Sequence, residues 1–261
     1  MPCERFPTAE AAFARVLEGR PRVLALGETH AQKGTMDGVP STTRRFTELF
    51  LPMLKGRATD LVIELWVANG SCGKKAEERV ATQQKAVTAP QAETNQNEFV
   101  ALGKAAKASG IRPHVLVPPC EDYARILDAG AGDVDAMLSM IARLTAKDIH
   151  TFLEKTEGKE AMLVAYGGAM HNDVVPKPGH ESWSFGAELS RKLGPGYVEL
   201  DLIVPEAIRD TDAWRALPWH PHFRPQAQGD GAVLITVGPG SYVIVFPRGA
   251  PAPADAGLRA P

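Results

Sequence analysis

Short apolar runs recur along this chain with room for a helix between them, and that alternation confines it to a sheet whose strands are joined by helical crossovers. Val23 to Leu26, Leu61 to Leu65, His114 to Val117, Met162 to Tyr166 and Val198 to Val204 have strand length and composition. Between them, apolar residues repeat at helical spacing. Thr8 caps a helix over Ala12, Phe13, Val16 and Leu17; Phe46, Leu49, Phe50, Met53 and Leu54 mark a second. Glu98 to Ser109, the stretch through Met137, Leu138, Ile141 and Leu144, and Ser184 to Lys192 read likewise. The expected fold is α/β, with a mainly parallel central sheet covered by helices on both faces.

Three local expectations accompany this frame. The polar stretch from Ala68 to Gln96 offers little to a core and reads as a mobile excursion. Val198 to Val204 alternates apolar with acidic residues, which suggests a half-exposed edge strand. Val233 to Val237 and Tyr242 to Phe246 flank Gly238-Pro239-Gly240-Ser241 and read as an appended hairpin. One domain over residues 8–247 and a disordered Pro/Ala-rich tail over 248–261 complete the division.

Composition narrows the function classes. With 29 basic against 31 acidic residues the net charge is −2, and no run of either sign recruits nucleic acid or an anionic membrane. No stretch approaches the roughly 18 apolar residues of a transmembrane span, and Met1-Pro2-Cys3-Glu4-Arg5 lacks the apolar core of a signal peptide. Three cysteines, Cys3, Cys72 and Cys120, cannot all pair within one chain and form no CxxC. A reducing compartment is the simple reading, with Cys120 as a small buried apolar residue.

Ligands of parallel sheets bind beyond the carboxyl ends of the strands, and three polar clusters stand there. The first strand runs into Gly27-Glu28-Thr29-His30, Glu64 interrupts an apolar strand, and the fourth strand exits through Gly168-Ala169-Met170-His171. A carboxylate within such a strand needs a cationic, metal or hydrogen-bonding partner. In each Gly-x-x-His stretch the glycine permits a sharp exit and the histidine turns back over the strand end. Tyr166 is the best guess for a phenolate ligand to iron or haem. His220 and His222 read as a surface turn, and Cys120, Glu121 and Asp122 stand on the same rim as the main cluster.

The motif Ala25-Leu26-Gly27-Glu28-Thr29-His30, the strand acid Glu64 and the late Gly168-x-x-His171 resemble the superfamily joining ChaN-type haem-binding proteins, erythromycin esterases and Tiki/TraB proteins, with the first motif spaced as in the ChaN branch. The resemblance spans Val23 to Asn172. It implies a mixed-sheet α/β fold with these residues in a cleft, but no single activity, since members include a metal-dependent protease, a metal-free esterase and haem carriers. It also implies an arginine on the helix after the first motif, at Arg44 or Arg45. ChaN-like members are exported lipoproteins, so a periplasmic location follows if an export signal has been removed.

Two functions follow. In the first, His30, Glu64 and His171 hold a divalent metal (Mn, Co or Zn) that activates water for hydrolysis of a small-molecule or peptide ester or amide, with Glu28 as further acid or ligand; a metal-free variant uses His30 as base and Arg44 or Arg45 as oxyanion partner. In the second, the cleft or a homodimer interface carries non-covalent haem without turnover.

Overall fold

The computed structural model describes residues 1–34, 38–130, 133–223 and 231–248. Eight strands form one sheet: β1 (Cys3–Phe6), β2 (Val23–Glu28), β3 (Ala58–Trp66), β4 (Arg112–Leu116), β5 (Met162–Gly168), β6 (Tyr197–Ile203), β7 (Ala232–Gly238) and β8 (Ser241–Val245). Their order is β1-β7-β8-β6-β2-β5-β3-β4. The six from β8 to β4 run parallel, whereas β7 pairs antiparallel with both β8 and β1. The fold is therefore the expected α/β sheet with its hairpin. The tail, apart from Arg248, lies outside the described residues.

Strand alternation divides the core. Leu24, Leu26, Ile63, Val164 and Tyr166 face one layer, built with α1 (Ala9–Leu17), the helical segment that begins as α2 (Thr42–Arg45) and continues to Leu54, and, farther along, the helix Asn95–Ala108. Val23, Ala25, Val62, Leu163 and Ala165 face the other, which contains the helices Cys120–Ala129, Asp135–Lys155 and Gly186–Leu193. The chain leaving β2 thus covers one face and the chain leaving the adjacent β5 covers the other. Where neighbouring connections part in this way a crevice opens at the strand carboxyl ends.

Three expectations are corrected. The stretch from Ala68 to Gln96 is not an excursion: it forms α3 (Lys74–Thr88) and opens α4 (Asn95–Ala108). Val80 anchors α3 in the core, and Ala92 N–H donates to the Ala31 carbonyl at 2.7 Å, clamping the loop beyond His30. The cysteines do pair, for Cys72 and Cys120 form a disulfide across 48 residues that joins the start of α3 to the start of α5 (Cys120–Ala129). Cys120 is exposed rather than buried, and the pairing removes the basis for a reducing compartment, where disulfides are rare. Finally, β6 is no edge: it lies between β8 and β2. Its acids are enclosed because its partner residue across from Asp201 is Gly27, whose missing side chain leaves room for a carboxylate.

Candidate functional site

The carboxyl ends of β2, β3 and β5 and the residues just past them explain how four side chains meet. Glu28 continues the face of Leu26, together with Tyr166, whereas Glu64 points to the opposite face, over Gly167. A Cβ on Gly167 would stand 2.4 Å from Glu64 Oε2 and 2.8 Å from Glu64 Cβ, so only glycine lets the acid fold inward. His30, two residues past the end of β2 (Val23–Glu28), bridges the two faces. Its Nδ1 donates to Glu28 Oε1 at 2.8 Å, and its Nε2 lies 3.8 Å from Glu64 Oε1.

His171 comes from the other side. It closes a one-turn helix, Ala169–His171, directly after β5. Its Nδ1 donates to the Trp183 carbonyl at 2.7 Å, and its Nε2 lies 3.5 Å from Glu64 Oε1. Both imidazoles therefore turn Nε2 toward one carboxylate oxygen. The second oxygen, Oε2, accepts the Gly168 N–H.

Glu28 is itself fixed. Its Oε2 accepts from Thr43 Oγ1 at 2.8 Å and from the Tyr166 hydroxyl at 2.6 Å, in a site only 4% exposed. Thr43 sits in the first turn of α2, which Ser41 caps by accepting the Arg44 N–H at 3.0 Å. The cap thereby positions a hydroxyl of the site.

Burial alone would lower the pKa of His30, but hydrogen bonds and charge from Glu28 and Glu64 outweigh it and lift it to about 10. His171 is likewise raised: burial works against its charge, and Glu64 overcomes it. Burial would raise Glu64, yet His171 and His30 hold it well below the usual carboxylate range. The cluster thus demands positive charge beside Glu64.

The donor types are those of a borderline divalent metal, although the three ligand atoms do not all lie within 4.8 Å of one another. Two neutral imidazole Nε2 atoms and a carboxylate oxygen are the ligand types of catalytic zinc and manganese sites. Each imidazole also donates its other nitrogen to an oxygen acceptor, as metal-ligating histidines nearly always do. Solvent reaches the cluster past His30, whose side chain is 20% exposed. A cavity of ≈ 10 Å³ adjoins Glu64 and His171, room for about one water.

The remaining site expectations meet mixed outcomes, the surface turn at His220 and His222 being as expected. Tyr166 is 2% exposed and donates to Glu28; burial and the Glu28 charge push its pKa well above 10, which opposes its use as a phenolate ligand. Arg44 is largely exposed and pairs with Glu48 at 2.8 Å. Arg45 donates to the carbonyls of Pro40 and Pro247 and lies over the Phe246 ring. That leaves Thr43 as the residue of this helix bonded to Glu28. His220 and His222 form a surface turn behind the buried Trp219. Thr43 carried no motif in the sequence, and the Trp183 carbonyl, being backbone, could carry none.

Among the described residues, three further carboxylates gather beside this centre: oxygens of Asp173, Glu199 and Asp201 lie within 4.8 Å of one another. The sequence hides them because the apolar–acidic alternation of β6, an internal strand, imitates an exposed edge.

No family model matches the chain, and no curated protein sequence matches it. Among solved structures, that of the type III effector HopBA1 aligns over 95% of this chain and 98% of its own, at 11% identity and a TM-score of 0.43. A likeness of that size carries no conclusion about activity. No helix among the described residues is long and apolar enough to cross a membrane.

Proposed function

We propose that His30, Glu64 and His171 hold a divalent metal, of the manganese, cobalt or zinc type, in a hydrolase acting on an ester or peptide bond. The observation that carries this reading is the shared orientation of the two histidines: Glu28 and the Trp183 carbonyl take up both Nδ1 atoms, which directs both Nε2 atoms to Glu64 Oε1. A divalent cation held there would lower the pKa of water toward neutrality and so supply the nucleophile of hydrolysis. Glu64 contributes the charge, Glu28 keeps His30 in register, and Thr43 and Tyr166 keep Glu28 in register. The resemblance to the ChaN, erythromycin esterase and Tiki/TraB superfamily agrees with a Glu/His centre of this kind.

A metal-free mechanism with His30 as base has less support. An imidazole with a pKa of about 10 is already protonated at neutral pH and cannot accept a proton. Haem carriage has less support as well, because Tyr166, the expected phenolate ligand, is committed to Glu28.

The test is a panel of ester and peptide substrates, assayed after chelation and after return of Mn, Co or Zn, with an absorption spectrum of the protein titrated with haem. Restored hydrolysis that His30→Ala abolishes supports the hydrolase. No hydrolysis with any metal, together with stoichiometric haem binding and a shifted Soret band, overturns it.

A further inference from the structure

Asp173, Glu199 and Asp201 take no part in the centre described above, yet the fold packs them together. Glu199 and Asp201 are successive inward positions of β6, on the sheet face that Glu64 shares, and Asp173 follows His171 by two residues. Their carboxylate oxygens all lie within 4.8 Å of one another, and Glu199 is only 8% exposed. Their visible partners are few. Val174 N–H donates to Glu199 Oε2 at 2.8 Å, the Ser241 side chain also hydrogen-bonds Glu199, Asn172 Nδ2 reaches Asp201 Oδ1 at 3.4 Å, and Lys177 and His171 add positive charge near Asp173. Acids are almost never enclosed in this way unless something positive pairs with them.

Asn172 gives an independent sign. Its side chain is 2% exposed, and its Nδ2 donates to the Ala25 carbonyl at 3.1 Å as well as toward Asp201. Those two acceptors fix which end of the amide is nitrogen. The opposite end, Oδ1, is buried with no hydrogen-bond donor. It packs over Gly27 together with Asp201 Oδ1: a Cβ there would stand 2.9 Å from Asn172 Oδ1 and 2.2 Å from Asp201 Oδ1. A buried acceptor without a donor thus stands beside a carboxylate whose Oδ1 has only the long 3.4 Å contact from Asn172 Nδ2, an arrangement that a cation resolves.

We propose that Asp173, Glu199, Asp201 and Asn172 Oδ1 bind one hard divalent cation, Ca²⁺ in preference to Mg²⁺, at a site separate from His30, Glu64 and His171. The four donors are all oxygen, the ligand type of hard cations rather than of zinc. Ca²⁺ is preferred because its shell is flexible and takes several carboxylate and carbonyl oxygens together, whereas Mg²⁺ demands near-ideal octahedral geometry and keeps most of its waters. Water completes the shell from the side on which Asp173 and Asp201 are only half-buried. Such a cation ties the turn carrying His171 to β6, and so steadies one half of the neighbouring centre.

The experiment uses the full chain, stripped with chelator, in calorimetric titrations and melts with Ca²⁺ and Mg²⁺ at neutral pH. One Ca²⁺ per chain should bind and raise the melting temperature, with Mg²⁺ weaker. Asp201→Asn and Asp173→Asn should each weaken Ca²⁺ by about tenfold or more, since affinity follows ligand charge, whereas His30→Ala should retain it. Asp173→Asn, at a half-buried turn position, serves if Asp201→Asn does not fold. The proposal is overturned if Ca²⁺ neither binds nor stabilises, or if its binding survives both Asp variants. It is equally overturned if His30→Ala removes the binding. Asn variants that melt higher than the parent with no cation effect on either would show carboxyls sharing protons, and would overturn it too.

Discussion

Glu28 Oε1 stands 2.8 Å from His30 Nδ1, and this one contact decides which nitrogen of His30 faces Glu64. The carboxylate can only accept, so Nδ1 donates and Nε2 is left to the centre. Glu28→Gln keeps the volume but introduces an amide NH₂ among three donors, His30, Thr43 and Tyr166. Either His30 or the pair of hydroxyls must then lose its acceptor. The expected outcome is a loss of about 10–100-fold in metal affinity, the usual cost of a disturbed outer partner, with the fold retained. Competition titration of Co²⁺ or Zn²⁺ against a chelator measures it, and an unchanged affinity would assign Glu28 to packing alone.

Glu64 is the residue on which both histidines converge. Glu64→Gln and Glu64→Ala should abolish metal binding and any hydrolysis. Stability should change by no more than ~3 kcal/mol in either direction, because the mutation removes a buried charge along with its partners' compensation. Circular dichroism melts separate this effect from activity. A folded variant with full activity would contradict the assignment.

What the sequence disclosed of this arrangement follows from how each element is buried. β2, β3 and β5 were legible because strands covered on both faces are apolar throughout, and Glu28, Glu64, His30 and His171 stood out against them. β6 was misread for the converse reason. Glu199 and Asp201 imitate a solvent-facing alternation, and the room for Asp201 comes from Gly27 on another strand. α3 was passed over because, among its described side chains, Val80 is the buried apolar one, its start being held by a disulfide between residues 48 apart. The link from Tyr166 to Glu28 spans 138 residues, a contact that no local pattern encodes.

Two glycines test the close packing of these acids. A Cβ on Gly167 would meet the flexible Glu64 carboxylate at 2.4 Å, whereas one on Gly27 would meet Asp201 Oδ1 at 2.2 Å and the Ala169 Cα, which is backbone, at 2.7 Å. Gly167→Ala should therefore displace Glu64 and reduce metal binding, with some loss of stability besides, because Glu64 Cβ, 2.8 Å away, is fixed to its strand. Gly27→Ala should mainly destabilise, by about 1–3 kcal/mol or more, since backbone cannot rotate aside. Denaturant melts and metal titrations of the two variants check the contrast, and equal effects would refute it.

The opposite rim supplies a pH dependence free of the metal centre. Asp60 is 4% exposed and accepts from Arg112 at 2.9 Å and from His114 at 2.7 Å. Burial would raise its pKa, but Arg112, Thr59 and His114 outweigh that and lower it. A depressed folded pKa means stability that is present above the unfolded value of about 3.9 and is lost as pH falls through the lower folded value. Asp60→Asn should thus be less stable than the parent at pH 7, with the difference shrinking in acid. Urea melts across pH 2–7 read it directly; a gap that stays constant would show that the ion pair contributes nothing.

The last expectation separates metal binding from proton binding at His30. Without a metal, the pKa of about 10 makes His30 an imidazolium at neutral pH, with one N–H directed to Glu28 and the other toward Glu64. A metal needs the Nε2 lone pair, so binding must expel that proton. Raising the pH weakens the competition, and the apparent affinity should therefore climb about tenfold per pH unit for each proton released, from pH 6 to 9. Below that range the cluster should be silent and above it active, with chelator abolishing activity at every pH. Calorimetry in buffers of different ionisation heat counts the protons directly, and His30→Ala should release fewer. Affinity that is flat across pH 6–9, with no proton released, would mean that His30 Nε2 is not a ligand. Hydrolysis that ignores chelator would instead return His30 to the role of a base, at odds with an imidazole held between two carboxylates.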